Sequence, residues 1–371
     1  MATTSDVIVV GGGLHGCSAA LQLAMRGVSV TLVEKDYPGR HASGVNAGGV
    51  RRLGRALPEI PLSVASMELW SRIEDLVDDD CGFENHGQVK LAESEADLEK
   101  CRTRAAELRD AGFDHEEVID ERELRDLVPA AAPHVVGGMV SRADGAALPF
   151  RTVQAFRNKA ERLGARIIEG VAVSDLSRKN RDFVAHLSNG EVISAPRLIN
   201  AAGAWAGRIA ARFGEPVPLE VVAPMLMITE RRAPFLKPVV GATSRTLSFK
   251  QFANGTVLIG GGYLGRADPD TNRTVLDYAK LAENAQTVRD LFPVMHDARI
   301  MRSWAGIEAR MADGIPVIGP SRTEEGLFHS FGYSLHGFQL GPICGSIIGE
   351  LLTAGQTNLP IEPFSVARFA N

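Results

Sequence analysis

Apolar positions change period several times along this chain, and each change predicts a new element. Val7-Ile8-Val9-Val10 is an unbroken apolar run, the pattern of a strand buried on both faces. Three glycines follow it. Residues 17–26 then read as a helix, and a second apolar run, 28–33, predicts the next strand. Residues 38–54 are rich in Gly, Ala, Ser and Arg and have no period, as expected of a solvated loop or of one that wraps a ligand. Residues 61–78 place Leu62, Ala65, Leu69, Ile73 and Leu76 at near-helical spacing, and residues 87–92 alternate like a strand. Residues 94–111 predict a helix capped by Ser94, with Asp97 at the third position and a solvated face of Glu, Lys and Arg.

Past Leu148-Pro149 the spacing predicts a helix over 150–163 and a strand over 165–169. A hairpin joins 183–187 to 192–196 around Asn189-Gly190, a strong turn signal. A buried strand over 197–200 runs into Ala201-Ala202-Gly203-Ala204-Trp205. From 218 to about 302 strands dominate (225–229, 246–251, 256–260), interrupted by a charged helix over 274–291; small apolar residues at 341–353 predict a last helix. Helix–strand segments at both ends and in the middle thus alternate with sheet-rich ones. We expect an α/β chain, α+β overall, of two interleaved domains: a Rossmann-like dinucleotide-binding domain over 1–80, 141–217 and 303–371, and a mixed-sheet substrate domain over 81–140 and 218–302.

The glycines after the first strand sharpen that expectation. In a βαβ dinucleotide site the first glycine makes a tight turn, the second lets backbone approach a pyrophosphate, and the third lets helix and strand pack closely. Gly11, Gly13 and Gly16 hold those places, and Glu34 ends the second strand, where an acid accepts ribose hydroxyls. The bulk composition narrows the rest. Among 371 residues, 45 acidic against 40 basic side chains give a net charge of −5, which argues against a nucleic-acid binder. No apolar run approaches the ~18 residues that span a bilayer, and no basic leader precedes the first strand, so a cytoplasmic protein without a membrane span is expected. Four scattered cysteines and nine histidines show no metal-ligand spacing, and no metal is expected.

Four motifs in order carry a resemblance: the glycine loop with Glu34; Ala42-Ser43-Gly44-Val45-Asn46-Ala47-Gly48-Gly49; Asn200-Ala-Ala-Gly-Ala-Trp205; and Asp313–Gly319 leading to Gly332–Gly337. Over essentially its whole length the chain resembles the D-amino-acid-oxidase-like FAD enzymes, which include glycine oxidase and sarcosine oxidase. Ser43–Arg51 and Gly337–Pro342 look like the catalytic subunits of opine, D-hydroxyproline and cyanide-forming glycine dehydrogenases. The resemblance implies an FAD-dependent oxidoreductase acting on CH–NH or CH–NH2 groups of a primary or N-substituted amino acid, to give an imine that hydrolyses. Electrons would pass to oxygen or to a partner electron-acceptor subunit; a non-catalytic flavin-binding assembly subunit is the reading from another class. It implies that Gly11, Gly13, Leu14, His15, Gly16, Glu34, Lys35, Arg40, Ala42, Ser43, Asn46, Ala47, Gly48 and Gly49 hold the cofactor. Val173, Ala201, Ala202, Gly203, Trp205 and Gly306 join them, and Gly337, Phe338, Gln339 and Leu340 meet the flavin at the start of the last helix, where a helix N-terminus stabilises the charge of the reduced ring.

A substrate carboxylate needs a cation. Arg51, just after Gly48-Gly49, is the first candidate, with Arg52 and Arg55 competing. The chain departs from the family at two points. Glycine-oxidase-like enzymes carry an arginine directly after Trp-Ala-Gly-Leu, where this chain has Glu308. The sarcosine-oxidase lysine is Gln339 here, while the preceding histidine is kept as His336. Glu308 would meet a second positive group on the substrate or pair with Arg310, and Tyr263 would be a pocket wall or a hydroxyl donor.

Overall fold

The structure is a computed structural model and describes residues 3–370. Two sheets organise it. The first has six strands, in the order Val317–Pro320, Leu327–Phe331, Arg197–Asn200, Val7–Val10, Val30–Val33 and Arg166–Ile168, all parallel except the first. Val7–Val10 is apolar throughout because both faces are covered. Val7 and Val9 enter a core with the helices Leu14–Met25, Pro149–Arg162 and Gly341–Ala354. Ile8 and Val10 enter a second core under the antiparallel strands Val173–Lys179, Asp182–Leu187 and Val192–Ala195.

The second sheet has eleven strands and is largely antiparallel. Its central path runs Leu219–Thr229, Val257–Gly260, Ser248–Gln251, Val239–Ala242, Gln88–Ala92 and Gly137–Ser141. Each of these strands alternates. Val89, Leu91 and Phe249 enter a core shared with the helix Tyr278–Leu291, while Gln88, Lys90 and Ser248 face a cavity on the other side.

The elements differ from the sequence expectation at a few places. The helix expected over 61–78 is two, Ile60–Trp70 and Ile73–Val77, because the chain leaves helical geometry at Arg72 (φ −130°). The helix expected from 274 begins at Tyr278, where the Asp277 side chain accepts the Lys280 amide, and Arg273–Val275 joins a strand instead. Residues 303–311, grouped by sequence with the dinucleotide domain, pair with Leu219–Thr229 in the larger sheet. Strands Glu117–Asp120 and Gly137–Ser141 and the helix Glu121–Leu127 fall in a stretch with no clear period.

Candidate active site

One cavity of about 960 Å³ runs from the glycine loop to the face of the larger sheet. Its first end is built from backbone. Gly11 turns the chain at φ +109°, and a Cβ there would lie 2.3 Å from the Ala201 carbonyl oxygen. A Cβ at Gly16 would lie 1.9 Å from the Gly11 oxygen, so Gly16 seats the helix on the strand and does not itself border the cavity. Gly13 caps the helix without a side chain. The Leu14 amide donates to Ser43 Oγ at 3.0 Å, the His15 and Gly16 amides have no intrahelical acceptor, and the Cys17 amide closes the first helical bond on the Gly13 carbonyl. Glu34 lies at the strand tip, its carboxylate accepting the Gly12 amide at 2.7 Å and the Asp36 amide at 2.9 Å. Burial pushes the Glu34 carboxyl above its ordinary range. Lys35 lies 3.2 Å over the Trp205 ring and donates to Asn272, and Arg40, Val173, Ala202 and Gly203 border the cavity beside it.

In the middle, Ala42–Val45 forms one helical turn whose geometry Asn46 fixes. Its Nδ2 donates to the Ala42 and Ser43 carbonyls, and its Oδ1 accepts the Gly48 amide at 2.7 Å. A Cβ at Gly48 would lie 2.2 Å from the Ala147 oxygen, and one at Gly306 2.7 Å from a Val45 methyl. The loop therefore presents backbone along the cavity through Ala47 and Gly49. Opposite it, His15 stacks on Tyr333 at 3.5 Å, and Gly337 passes over that stack. Burial holds the His15 imidazole neutral, at about 3, with its Nδ1 unpartnered. Phe338 borders the cavity, but Gln339 and Leu340, expected there, lie behind its wall. Gln339 Oε1 accepts from Arg55 and Ser63 at 3.1 Å, and its carbonyl oxygen accepts Trp70 Nε1 at 2.8 Å.

The second end is built from side chains. Of the three arginines after the glycine loop, Arg52 meets Asp144, and buried Arg55 lies between His336 Nδ1 (2.9 Å), Gln339 and Glu59. Arg51 borders the cavity with no carboxylate partner among the described residues, and burial depresses its pKa. His336 donates from Nε2 to the Gly314 carbonyl at 3.1 Å while Nδ1 accepts from Arg55; burial holds it far below its usual range. Glu308 borders the same end. It accepts the Leu335 amide at 2.8 Å, and desolvation raises its carboxyl to about 7.

Two sequence candidates lie elsewhere. Arg310 does not pair with Glu308: it reaches Glu220 on the neighbouring strand at 3.0 Å, outside this cavity, because those two residues stand opposite each other in register. Tyr263 packs half-buried on the larger sheet's core, since the left-handed pair Gly261-Gly262 turns the chain away from the cavity. Conversely, Gln88 and Lys90 border the cavity unanticipated. The signal was present, as a lysine between apolar Val89 and Leu91 in an alternating strand.

Residues 6–351 match the DAO family, FAD dependent oxidoreductase. The chain is 29% identical over 376 residues to one chain of the opine oxidase of Agrobacterium tumefaciens, covering 98% of this chain and 97% of that one. It is 26% identical over 415 residues to hydrogen cyanide synthase subunit HcnC of Pseudomonas aeruginosa, covering 100% and 97%. The crystal structure of glycine oxidase from Geobacillus kaustophilus shares the fold, with a TM-score of 0.91 at 24% identity over all of both chains. With a match spanning nearly its whole length, the chain belongs to the DAO family of FAD-dependent oxidoreductases.

Proposed function

We propose that the chain oxidises the carbon–nitrogen bond of a primary or N-substituted amino acid, removing hydride from the carbon next to nitrogen to leave an imine that water hydrolyses. One observation carries this reading: a single cavity joins a glycine-built dinucleotide cradle to a half-buried arginine that has no carboxylate partner among the described residues. The residues present fit FAD, offering the His15 and Gly16 amides of the first helical turn, the Glu34 carboxyl, and backbone at Gly48-Gly49 and Gly337. When bound, FAD supplies the hydride acceptor.

The chain's own groups orient and deprotonate. Arg51 holds the carboxylate and thereby fixes which C–H faces the acceptor. Glu308, raised to about 7, takes at its free carboxylate oxygen the proton that the substrate ammonium must lose, while the Leu335 N–H anchors the other oxygen. His336, pinned between Arg55 and Gly314, keeps the wall in register. Relatives named as glycine oxidase and opine oxidase support an amino-acid substrate. Relatives named as subunits support a partner chain for this one, with either oxygen or that partner accepting the electrons. No helix among the described residues is long and apolar enough to cross a membrane, and the cytoplasm is our proposed location.

The test is anaerobic titration of the purified protein, absorbing near ~450 nm as flavins do, with glycine, sarcosine, D-amino acids, hydroxyproline and opines. Bleaching by any of them supports the proposal, and a spectrum unmoved by all of them overturns it. Dye reduction without peroxide then identifies a partner as acceptor.

A further inference from the structure

Lys90 is a charged part of the cavity wall that this reading leaves without a task. It stands in the middle of strand Gln88–Ala92, between Gly241 on one neighbouring strand and Met139 on the other. Gly241 has no side chain to cover it, so the ammonium reaches the cavity. No hydrogen bond or ion pair holds Lys90 among the described residues. The position a Cβ would take on Gly54 lies 2.9 Å from Lys90 Nζ and 3.9 Å from Arg51 Nη1, so the two cations flank one small space. The nearby carboxylates are engaged. Asp144 accepts the Arg52 and Leu53 amides, and Glu116 accepts the Gly54 amide and Arg104. Two residues before Lys90, on the same face of the strand, Gln88 is 9% exposed and its Oε1 has no partner.

A single α-carboxylate is satisfied by one arginine, which already presents a two-pronged donor. A second half-buried cation held by no ion pair is unfavourable, and is tolerated where a ligand brings the missing charge. An unpartnered carboxamide on the same face adds a donor and an acceptor for that ligand. We infer that Lys90 and Gln88, beside Arg51, form a subsite for a second carboxylate of the substrate. The preferred amino acid is then a dicarboxylate that carries its extra acid on the nitrogen substituent or on the side chain. This rests on the amino-acid reading of the site and deepens it to a substrate class.

The experiment compares acids with near-isosteric neutral partners on the FAD-loaded protein. N-(carboxymethyl)alanine is set against N-(carbamoylmethyl)alanine, and glutamate against glutamine in both hands, with anaerobic flavin reduction as the readout. The dicarboxylate of one pair should half-saturate at a concentration lower by about tenfold, the size of one charge-assisted contact. The pair that shows the preference tells whether the second acid sits on the nitrogen or on the side chain. The Lys90→Met variant should collapse that ratio towards one, and Lys90→Arg should keep most of it. A second arm needs no turnover: oxydiacetate, which has no amine to oxidise, should perturb the flavin spectrum at lower concentration than methoxyacetate. If no amino acid bleaches the flavin, the functional proposal fails, and the oxydiacetate arm still decides the subsite. Equal half-saturation within every pair and equal binding of the two ethers, or a preference that survives Lys90→Met, overturns the inference.

Discussion

The two ends of the cavity are made of different material. At the dinucleotide end the wall is backbone at Gly11, Gly13, Gly48 and Gly337, held at spacings where an added Cβ would strike a neighbour. At the far end the wall is formed by the side chains of Arg51, Glu308 and Lys90, each from a different element. A backbone site cannot be retuned residue by residue without moving the chain. A side-chain site can be changed by one substitution that leaves the fold in place.

The largest effect should come from breaking the first end. Gly16→Ala places a methyl against the Gly11 carbonyl oxygen, and we expect a colourless protein destabilised by about 4 kcal/mol or more. Flavin content and thermal unfolding check this together. Arg51→Met acts at the other end. It should keep the yellow colour and lower kcat/KM by roughly a hundredfold, the range for losing one side of a buried charged pair.

Glu308→Gln should be milder and pH-dependent. The raised carboxyl is protonated below about 7 and ionised above it, so the rate of flavin reduction in the natural chain should climb through that pH. The variant should lack that inflection and be slower by about tenfold at pH 8. Smallest of all, Arg310→Gln and Tyr263→Phe should change kcat/KM by no more than about twofold, the effect of a ~0.5 kcal/mol substitution away from a site. A large loss at either position would mean that the far end extends beyond the wall described here.

The same division decides what could be read from the sequence. The dinucleotide end lies in short contiguous motifs, where residue type, spacing and flanking strands agree, so Gly11, Gly13, Glu34 and Gly48 were legible. The far end draws on strands distant in sequence, and its membership depends on side-chain direction. Glu308 and Arg310 stand two residues apart on one strand and so share a face, yet the pairing of Arg310 with Glu220 across the register decides where the arginine points. Gln339 stands where the resemblance implies a cofactor contact, but its carboxamide satisfies Arg55 and Ser63 behind the wall. Lys90 was hidden because a lone lysine in an alternating strand reads as solvent-facing until a second sheet face is known to border a cavity. The stretch around the helix Glu121–Leu127 was illegible for a plainer reason: its elements are short and carry few apolar positions, too few to set a period.

The strand order of the smaller sheet also sets a timetable. Val7–Val10 leaves the ribosome well before the strand that pairs along one of its edges, Arg197–Asn200, and that strand's other neighbour is Leu327–Phe331. The glycine loop therefore spends much of the chain's synthesis without the Ala201 carbonyl it must abut. Chains emerge at about 5–20 residues per second, so the nascent protein carries an unfinished, apolar-edged nucleus for many seconds before the last partner arrives. Cofactor capture should therefore follow the arrival of Leu327–Phe331, and nascent chains arrested before Phe331 should depend on chaperones to stay soluble.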